Sequence, residues 1–182
     1  DDPRLCPQFH LPLQSGNDNV LKRMRRRYTT SEYLRAVDTI RGMLPAVAIT
    51  TDIIVGFPDE SDSEFEDTLQ LSRGTKFADT HIFPYSARPG TSAAHFKGMV
   101  APDIKRARSS KLVENGRSNT VAFRKRFIGE TRPVLWERQG SDSAKPIWTG
   151  LTDNYIPITS LSSINLTNRI TETRLSELDC HT

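Results

Sequence analysis

Two short apolar segments of this chain end in the same way. Phe9 to Leu13 runs into Gln14-Ser15-Gly16, and Val47 to Val55 runs into Gly56-Phe57-Pro58. Each reads as a strand that stops at a small, turn-forming tip carrying polar groups, and a helical segment lies between them. A strand–helix–strand with functional groups at its strand ends narrows the architecture to an α/β barrel or an open parallel sheet. It also places any ligand at the tips.

The remaining pattern extends the same alternation. Asn17 or Asp18 caps a short helix over about Val20–Met24, and Thr30 or Ser31 caps a second. That second helix carries Tyr33, Leu34, Val37, Ile40, Met43 and Leu44 at helical spacing and stops before Pro45. Val47 to Val55 is apolar and β-branched, the mark of a strand buried on both faces. Ser61-Asp62-Ser63-Glu64 reads as a capping box for a helix to Leu71. Thr80 to Tyr85 is a third strand, followed by the loop Ser86–Thr91. Pro102 opens a long helix over about 103–127, with Gly129 as its cap. From Glu130 onward the segments are short, β-branched and separated by turn residues, which suits a small all-β domain. Three strands cannot close a barrel, so two sheet edges remain to be covered. The expectation is that preceding residues of a longer chain supply the missing units.

Composition excludes some classes. No run of apolar residues is long enough to span a membrane, and Asp1-Asp2-Pro3-Arg4 is not a signal peptide. Two cysteines, Cys6 and Cys180, are too few for a disulfide framework or a cluster and are read as reduced thiols of a cytoplasmic protein. The four histidines share no metal-ligand spacing, so no metal ligand is expected. The net charge of +3 hides segregation. Residues 52–79 hold eight acidic and two basic groups, residues 103–127 eight basic and two acidic, and Lys22 to Arg27 five basic groups in six residues. Much of the acidic block is helix-start chemistry. The basic blocks make a local positive field that attracts a polyanion.

The tips also carry a resemblance. His10-Leu-Pro-Leu-Gln-Ser-Gly16, Arg25-Arg-Arg-Tyr28, Thr50-Thr-Asp-Ile-Ile-Val-Gly-Phe-Pro58 and Phe83-Pro-Tyr-Ser-Ala-Arg-Pro-Gly-Thr91 resemble the C-terminal half of a radical S-adenosylmethionine methylthiotransferase. Gly150-Leu-Thr-Asp-Asn-Tyr-Ile156 and Asn168–Leu175 resemble that family's TRAM domain. The Thr-Asp-Asn-Tyr-Ile wording is most similar to the subgroup acting on threonylcarbamoyl-adenosine in tRNA. The resemblance implies a fold of α/β class. Residues 1–128 would be the last three βα units of a partial TIM-like radical SAM barrel with a long connecting helix, and residues 129–182 a small all-β TRAM-like barrel. It implies an enzyme that adds a methylthio group to C2 of a modified adenosine beside the anticodon, with S-adenosylmethionine and [4Fe–4S] clusters as cofactors and tRNA as partner. The cluster ligands, a Cys-x-x-x-Cys-x-x-Cys motif, would lie outside this chain, which would then be inactive alone. Asp59 departs from the family pattern, which has Gly there.

By resemblance Gln14 and Ser15 face S-adenosylmethionine; by local chemistry they can equally form a helix-capping turn. Ile54, Val55 and Gly56 would form an apolar shelf for the adenine, with plain strand core as the alternative. Tyr85 would stack on a base and Arg88 would fix a carboxylate or phosphate, against a structural loop reading. Lys22, Arg23, Arg25, Arg26 and Arg27, with Arg124, Lys125 and Arg126 at the end of the long helix, are the phosphate candidates. A solvated helix face is the alternative there. His10 reads as a core histidine, and Asp52 as a buried carboxylate needing a partner. Trp136, Trp148 and Tyr155 are read as β-domain core rather than stacking platforms. Two rival functions stay open: a methylthiotransferase acting on a ribosomal protein, and a non-enzymatic RNA-binding module. Self-association through the open sheet edge is a further possibility.

Overall fold

The computed structural model describes residues 5–140 and 146–178. Cys180 and His181 lie outside that range. The chain forms two compact units that part at Phe123/Arg124, with the residues before Phe9 and Ala46–Ala48 grouped with the second.

The first unit is built on three strands in the order β1-β2-β3: β1 (Gln8–His10), β2 (Ala48–Val55) and β3 (Asp79–Pro84). β2 and β3 are parallel, in register from Thr50 opposite Asp79 to Val55 opposite Pro84. Helices α1 (Asp18–Arg23), α2 (Thr30–Met43), α3 (Asp62–Thr75) and α4 (Pro102–Lys125) complete the β-α-β-α-β-α order. The regular strand β1 ends at His10, three residues short of the expected Leu13, because Pro12 offers no N–H to the ladder. Side chains take over instead. Thr51 Oγ1 donates to Leu11 O (2.7 Å) and accepts from Leu13 N (2.9 Å). Tyr33 Oη also donates to Leu11 O (2.7 Å), and Tyr28 Oη lies 3.0 Å from both Pro12 O and Leu13 O. Burial raises the Tyr33 phenol to about 12 and pushes Tyr28 upward too, so both stay protonated donors.

The cap of α2 is Thr29, one residue before the expected Thr30, because only Thr29 stands three residues ahead of a glutamate. Its hydroxyl accepts from Glu32 N while Glu32 reaches back to Thr29 N. Ser61 and Glu64 close the same box on α3.

β2 is not buried on both faces. Ile49, Thr51, Ile53 and Val55 are buried, whereas Thr50, Asp52 and Ile54 are half-buried. Successive side chains alternate across a strand, so the helices cover one face and the other stays open. Leu13, Val20, Leu21, Val37, Leu69 and Phe77 fill the covered side. Full burial of each such side chain stabilises by about 1.5–3 kcal/mol.

The second unit is a four-stranded antiparallel sheet ordered β6-β5-β4-β7, from β4 (Thr131–Gly140), β5 (Ile147–Thr152), β6 (Pro157–Leu161) and β7 (Ile170–Arg174). Its core is Val134, Trp136 and Trp148, with Ile158 and Leu166 packed against it. Gly150 pairs with Trp136, and a Cβ there would come within 2.3 Å of Leu135 O, so this close crossing admits only glycine.

Candidate functional site

Backbone hydrogen bonds tie the strand tips of the first unit into one row. Gln14 bridges to β2 in parallel: Gln14 N donates to Asp52 O (2.8 Å), and Ile54 N donates to Gln14 O (2.9 Å). Across the sheet, Tyr85 N donates to Val55 O (2.8 Å). Gln14, Ile54, Gly56 and Tyr85 therefore meet at the C-terminal ends of three adjacent strands. Gln14 holds a left-handed backbone (φ 66°), as does Gly56 (φ 72°). For the glutamine this is an unfavourable conformation of the kind that gathers at ligand sites.

The shelf residues divide by strand alternation. Ile54 lies on the open face beside the row, whereas Val55 is 1% exposed and faces the helices. Gly56 serves a close approach, and in this chain the approaching group is Lys105, whose Cγ would meet an added Cβ at 2.3 Å. Lys105 Nζ donates to Tyr85 O (3.1 Å), which straps α4 to the tip of β3. Gly56 N donates to Glu60 Oε2 (2.8 Å), and Glu60 is in turn held by Arg108 Nη1 (2.7 Å). Burial raises the Glu60 carboxyl, outweighing the help from Gly56 N–H and Arg108.

Tyr85 packs edge-on to Phe57 at 5.1 Å, and its hydroxyl is buried with no partner among the described residues. A buried hydroxyl without a partner is a group that a bound ligand could complete. Ser15 behaves differently: it is fully buried, its hydroxyl lies 3.3 Å from Thr68 Oγ1 and accepts from Asn17 N (3.3 Å). Its contacts are those of a turn residue docked on α3. Arg88 is exposed on the loop after β3, where its carbonyl accepts from Thr91 Oγ1 (2.8 Å), and among the described residues no hydrogen bond or ion pair joins it to the tips.

The basic cluster also divides. Lys22, Arg25, Arg26 and Arg27 are exposed. Arg23 instead forms a two-pronged bond to Glu64, at 2.8 Å through each terminal nitrogen, and donates to Asp59 O. That pairing holds Glu64 below the ordinary carboxylate range and Arg23 above its own. Lys125 and Arg126 are exposed and Arg124 is half-buried; the Arg126 guanidinium lies 5.4 Å from the centre of the Phe127 ring. In the β-unit Trp136 and Trp148 are core, whereas Tyr155 is 53% exposed and left-handed (φ 62°).

One arrangement escaped sequence reasoning. His10, Asp52 and His81 lie on three different strands and converge on the open face, with Asp52 between the two imidazoles. Their separations of 42 and 29 residues follow no metal-ligand spacing. The one usable signal was a carboxylate inside an apolar strand.

Cysteine ligands for an iron–sulfur cluster are not assembled here. Cys6 is exposed and is the sole cysteine in the described residues, and a cluster needs about three or four thiolates. The tips present Ile54 on the open face, the largely buried Gln14 side chain, and a Tyr85 hydroxyl without a partner among the described residues.

Strand tips gathered at one end of a parallel sheet agree with the sequence match of residues 4–72 to the Radical SAM superfamily. More of the chain is similar to curated tRNA-modifying enzymes. A threonylcarbamoyladenosine tRNA methylthiotransferase of Thermotoga maritima is 47% identical over 75% of this chain. The tRNA-2-methylthio-N(6)-dimethylallyladenosine synthase of Maricaulis maris is 46% identical over 77%, and that of Desulfitobacterium hafniense 40% over 83%. The chain is similar to these relatives over 75–83% of its own length and spans 31–34% of theirs.

Proposed function

We propose that this chain is part of a tRNA methylthiotransferase and supplies one wall of its S-adenosylmethionine pocket together with RNA contacts. The carrying observation is the set of tips at one sheet end, where backbone hydrogen bonds join Gln14 to Asp52 and Ile54, and Tyr85 to Val55, the residue before Gly56. The cofactor, with its cluster, supplies the radical chemistry; the cluster's ligands are not among the described residues. This chain's residues bind and orient. Ile54 offers an apolar surface to the adenine, Tyr85 Oη a donor, and Gln14 a buried amide. Glu60 and Arg108 fix the Gly56 turn so that the tip does not rearrange when ligand arrives.

On the RNA side, Lys22, Arg25, Arg26 and Arg27 would hold phosphates, with Lys125 and Arg126 as further candidates. The exposed Tyr155 offers a stacking surface. For the substrate we favour N6-threonylcarbamoyladenosine, the adenosine named in the Thermotoga relative, supported by the Thr152-Asp153-Asn154-Tyr155-Ile156 segment.

Nucleoside mass spectrometry of tRNA from cells with and without the complete gene tests this reading. Loss of the methylthio derivative of threonylcarbamoyladenosine on deletion is expected. Loss of the dimethylallyl derivative instead would move the substrate. Loss of neither, with tRNA binding intact, would sink the enzyme reading in favour of an RNA-binding module.

A further inference from the structure

We propose that His10, Asp52 and His81 form a binding site for one divalent cation of the zinc type on the open face of the parallel sheet. This lies outside the cofactor wall proposed above. Asp52 is two residues before Ile54, about 7 Å back along β2.

The three residues are rigidly presented. His10 ends β1, and Asp52 and His81 are directly opposite in the β2–β3 register. Asp52 Oδ2 lies 3.3 Å from His10 Nε2, and Asp52 Oδ1 lies 3.2 Å from His81 Nδ1. One ligand atom from each residue falls within 4.8 Å of the others. Metal bonds of about 2.0–2.1 Å at tetrahedral angles put neighbouring ligand atoms roughly 3.3 Å apart. With Asp52 binding through a single oxygen, one of the three separations already has that value, and the others need only small rotations of half-exposed side chains.

The His10 ring has an outer hydrogen-bond partner, and the His81 ring faces an outer charge. His10 Nδ1 lies 2.9 Å from Thr50 Oγ1, and His81 Nε2 lies 3.6 Å from an Asp79 carboxylate oxygen. A neutral imidazole has one N–H. When those outer nitrogens carry it, His10 Nε2 and His81 Nδ1 turn lone pairs toward the Asp52 carboxylate. Three lone-pair donors facing one another are relieved by a cation held between them. The imidazole side chains are 39% and 52% exposed, which leaves a fourth position for water. Two imidazoles and one carboxylate suit zinc, cobalt or nickel; magnesium and calcium take all-oxygen sets.

Titration of the chain with Co2+, read by its visible d–d absorption and displaced by Zn2+, tests the site. One saturable equivalent is expected. His10→Ala, His81→Ala and Asp52→Asn should each weaken binding by roughly tenfold or more, while His95→Ala leaves it unchanged. Far-UV circular dichroism checks that each variant is folded. If an alanine variant is not, Zn2+-induced thermal shifts of the parent chain and Asp52→Asn decide instead: the parent shifts and the variant does not. Absence of saturation by about 1 mM Co2+ overturns the proposal. So does unchanged affinity in the folded variants, or a loss shared with His95→Ala.

Discussion

The Glu60–Arg108 pair is where a single change should reach from packing to the ligand site. Arg108 is 7% exposed in its side chain and Glu60 1%, while the second acceptor, Asp62, is 96% exposed. Replacing Arg108 with Met keeps the stem against Phe65, whose ring centre lies 5.3 Å from the guanidinium carbon. It leaves Glu60 buried with Gly56 N–H as its remaining partner. Removing one partner of a buried ion pair costs about 3–5 kcal/mol. Asp62 adds little, because it stays in water. Glu60 has one escape, which is to take up a proton. Its folded-state carboxyl is already raised, so the folded chain binds that proton more readily than the unfolded one. Stability arising from this shift is present at low pH and is lost as pH rises through the folded value. Arg108→Met pushes that value further up. The loss should therefore be largest near pH 7.5, about 3 kcal/mol, and shrink toward pH 5. Urea unfolding at both pH values reads it. The double variant Glu60→Gln/Arg108→Met should recover to within about 1 kcal/mol of the parent, since both charges are gone and Gln keeps an acceptor for Gly56. A loss below about 1 kcal/mol at pH 7.5, or one of equal size at both pH values, would refute the reasoning.

Other outcomes follow from the same geometry. Arg23→Ala should cost about 1–2 kcal/mol at neutral pH, as measured by urea unfolding. Because Arg23 holds the Glu64 carboxyl low, that contribution is present above the unfolded glutamate value, about 4.3, and disappears as pH falls through the folded value. Gly56→Ala places a methyl group against Lys105 at φ 72°; a loss of about 1–2 kcal/mol and weaker S-adenosylmethionine binding by calorimetry are expected. Neutralising Lys22, Arg25, Arg26 and Arg27 together should flatten the salt dependence of tRNA binding by about one unit of slope per lost phosphate contact. Arg23→Ala, whose side chain is committed to Glu64, should leave that slope alone.

Much of the fold was legible because the signals are local. The Ser61–Glu64 capping box, the stop before Pro45, the β-branched run of β2 and the turn-rich second unit are all written within a few residues, whereas the Thr29 cap and the early end of β1 went unread. The site was legible in kind but not in sorting. Nothing near Arg23 distinguishes it from Arg25; Glu64, 41 residues away, does that. Nothing near Arg108 marks it as buried among six other basic residues of its helix. Ser15 looked like a ligand group because its partner, Thr68, lies on another element. Val55 parted from Ile54 by alternation alone, a rule available from the sequence once the two faces of β2 are known to differ. The His10–Asp52–His81 cluster needed the register of three strands, which no spacing along one strand reveals.

That difference between faces yields a further expectation. On the open face the sheet grades from polar to apolar toward the tips: Asp52 stands opposite His81, and two residues on Ile54 stands opposite Phe83. Phe83 is 50% exposed and Ile54 half-buried. A core residue half in water gives the isolated chain only part of its transfer free energy, so Phe83→Ser should change the stability of this chain by less than about 1.5 kcal/mol. If the face serves to receive an adenine or further strands of a longer chain, the same substitution should weaken S-adenosylmethionine binding and destabilise the complete protein more than the isolated chain. Urea unfolding of both forms, with calorimetry on the complete protein, separates the cases. An equal loss in both forms, with cofactor affinity unchanged, would mean that the Ile54–Phe83 row is ordinary surface and that the ligand wall stops at the backbone of the tips.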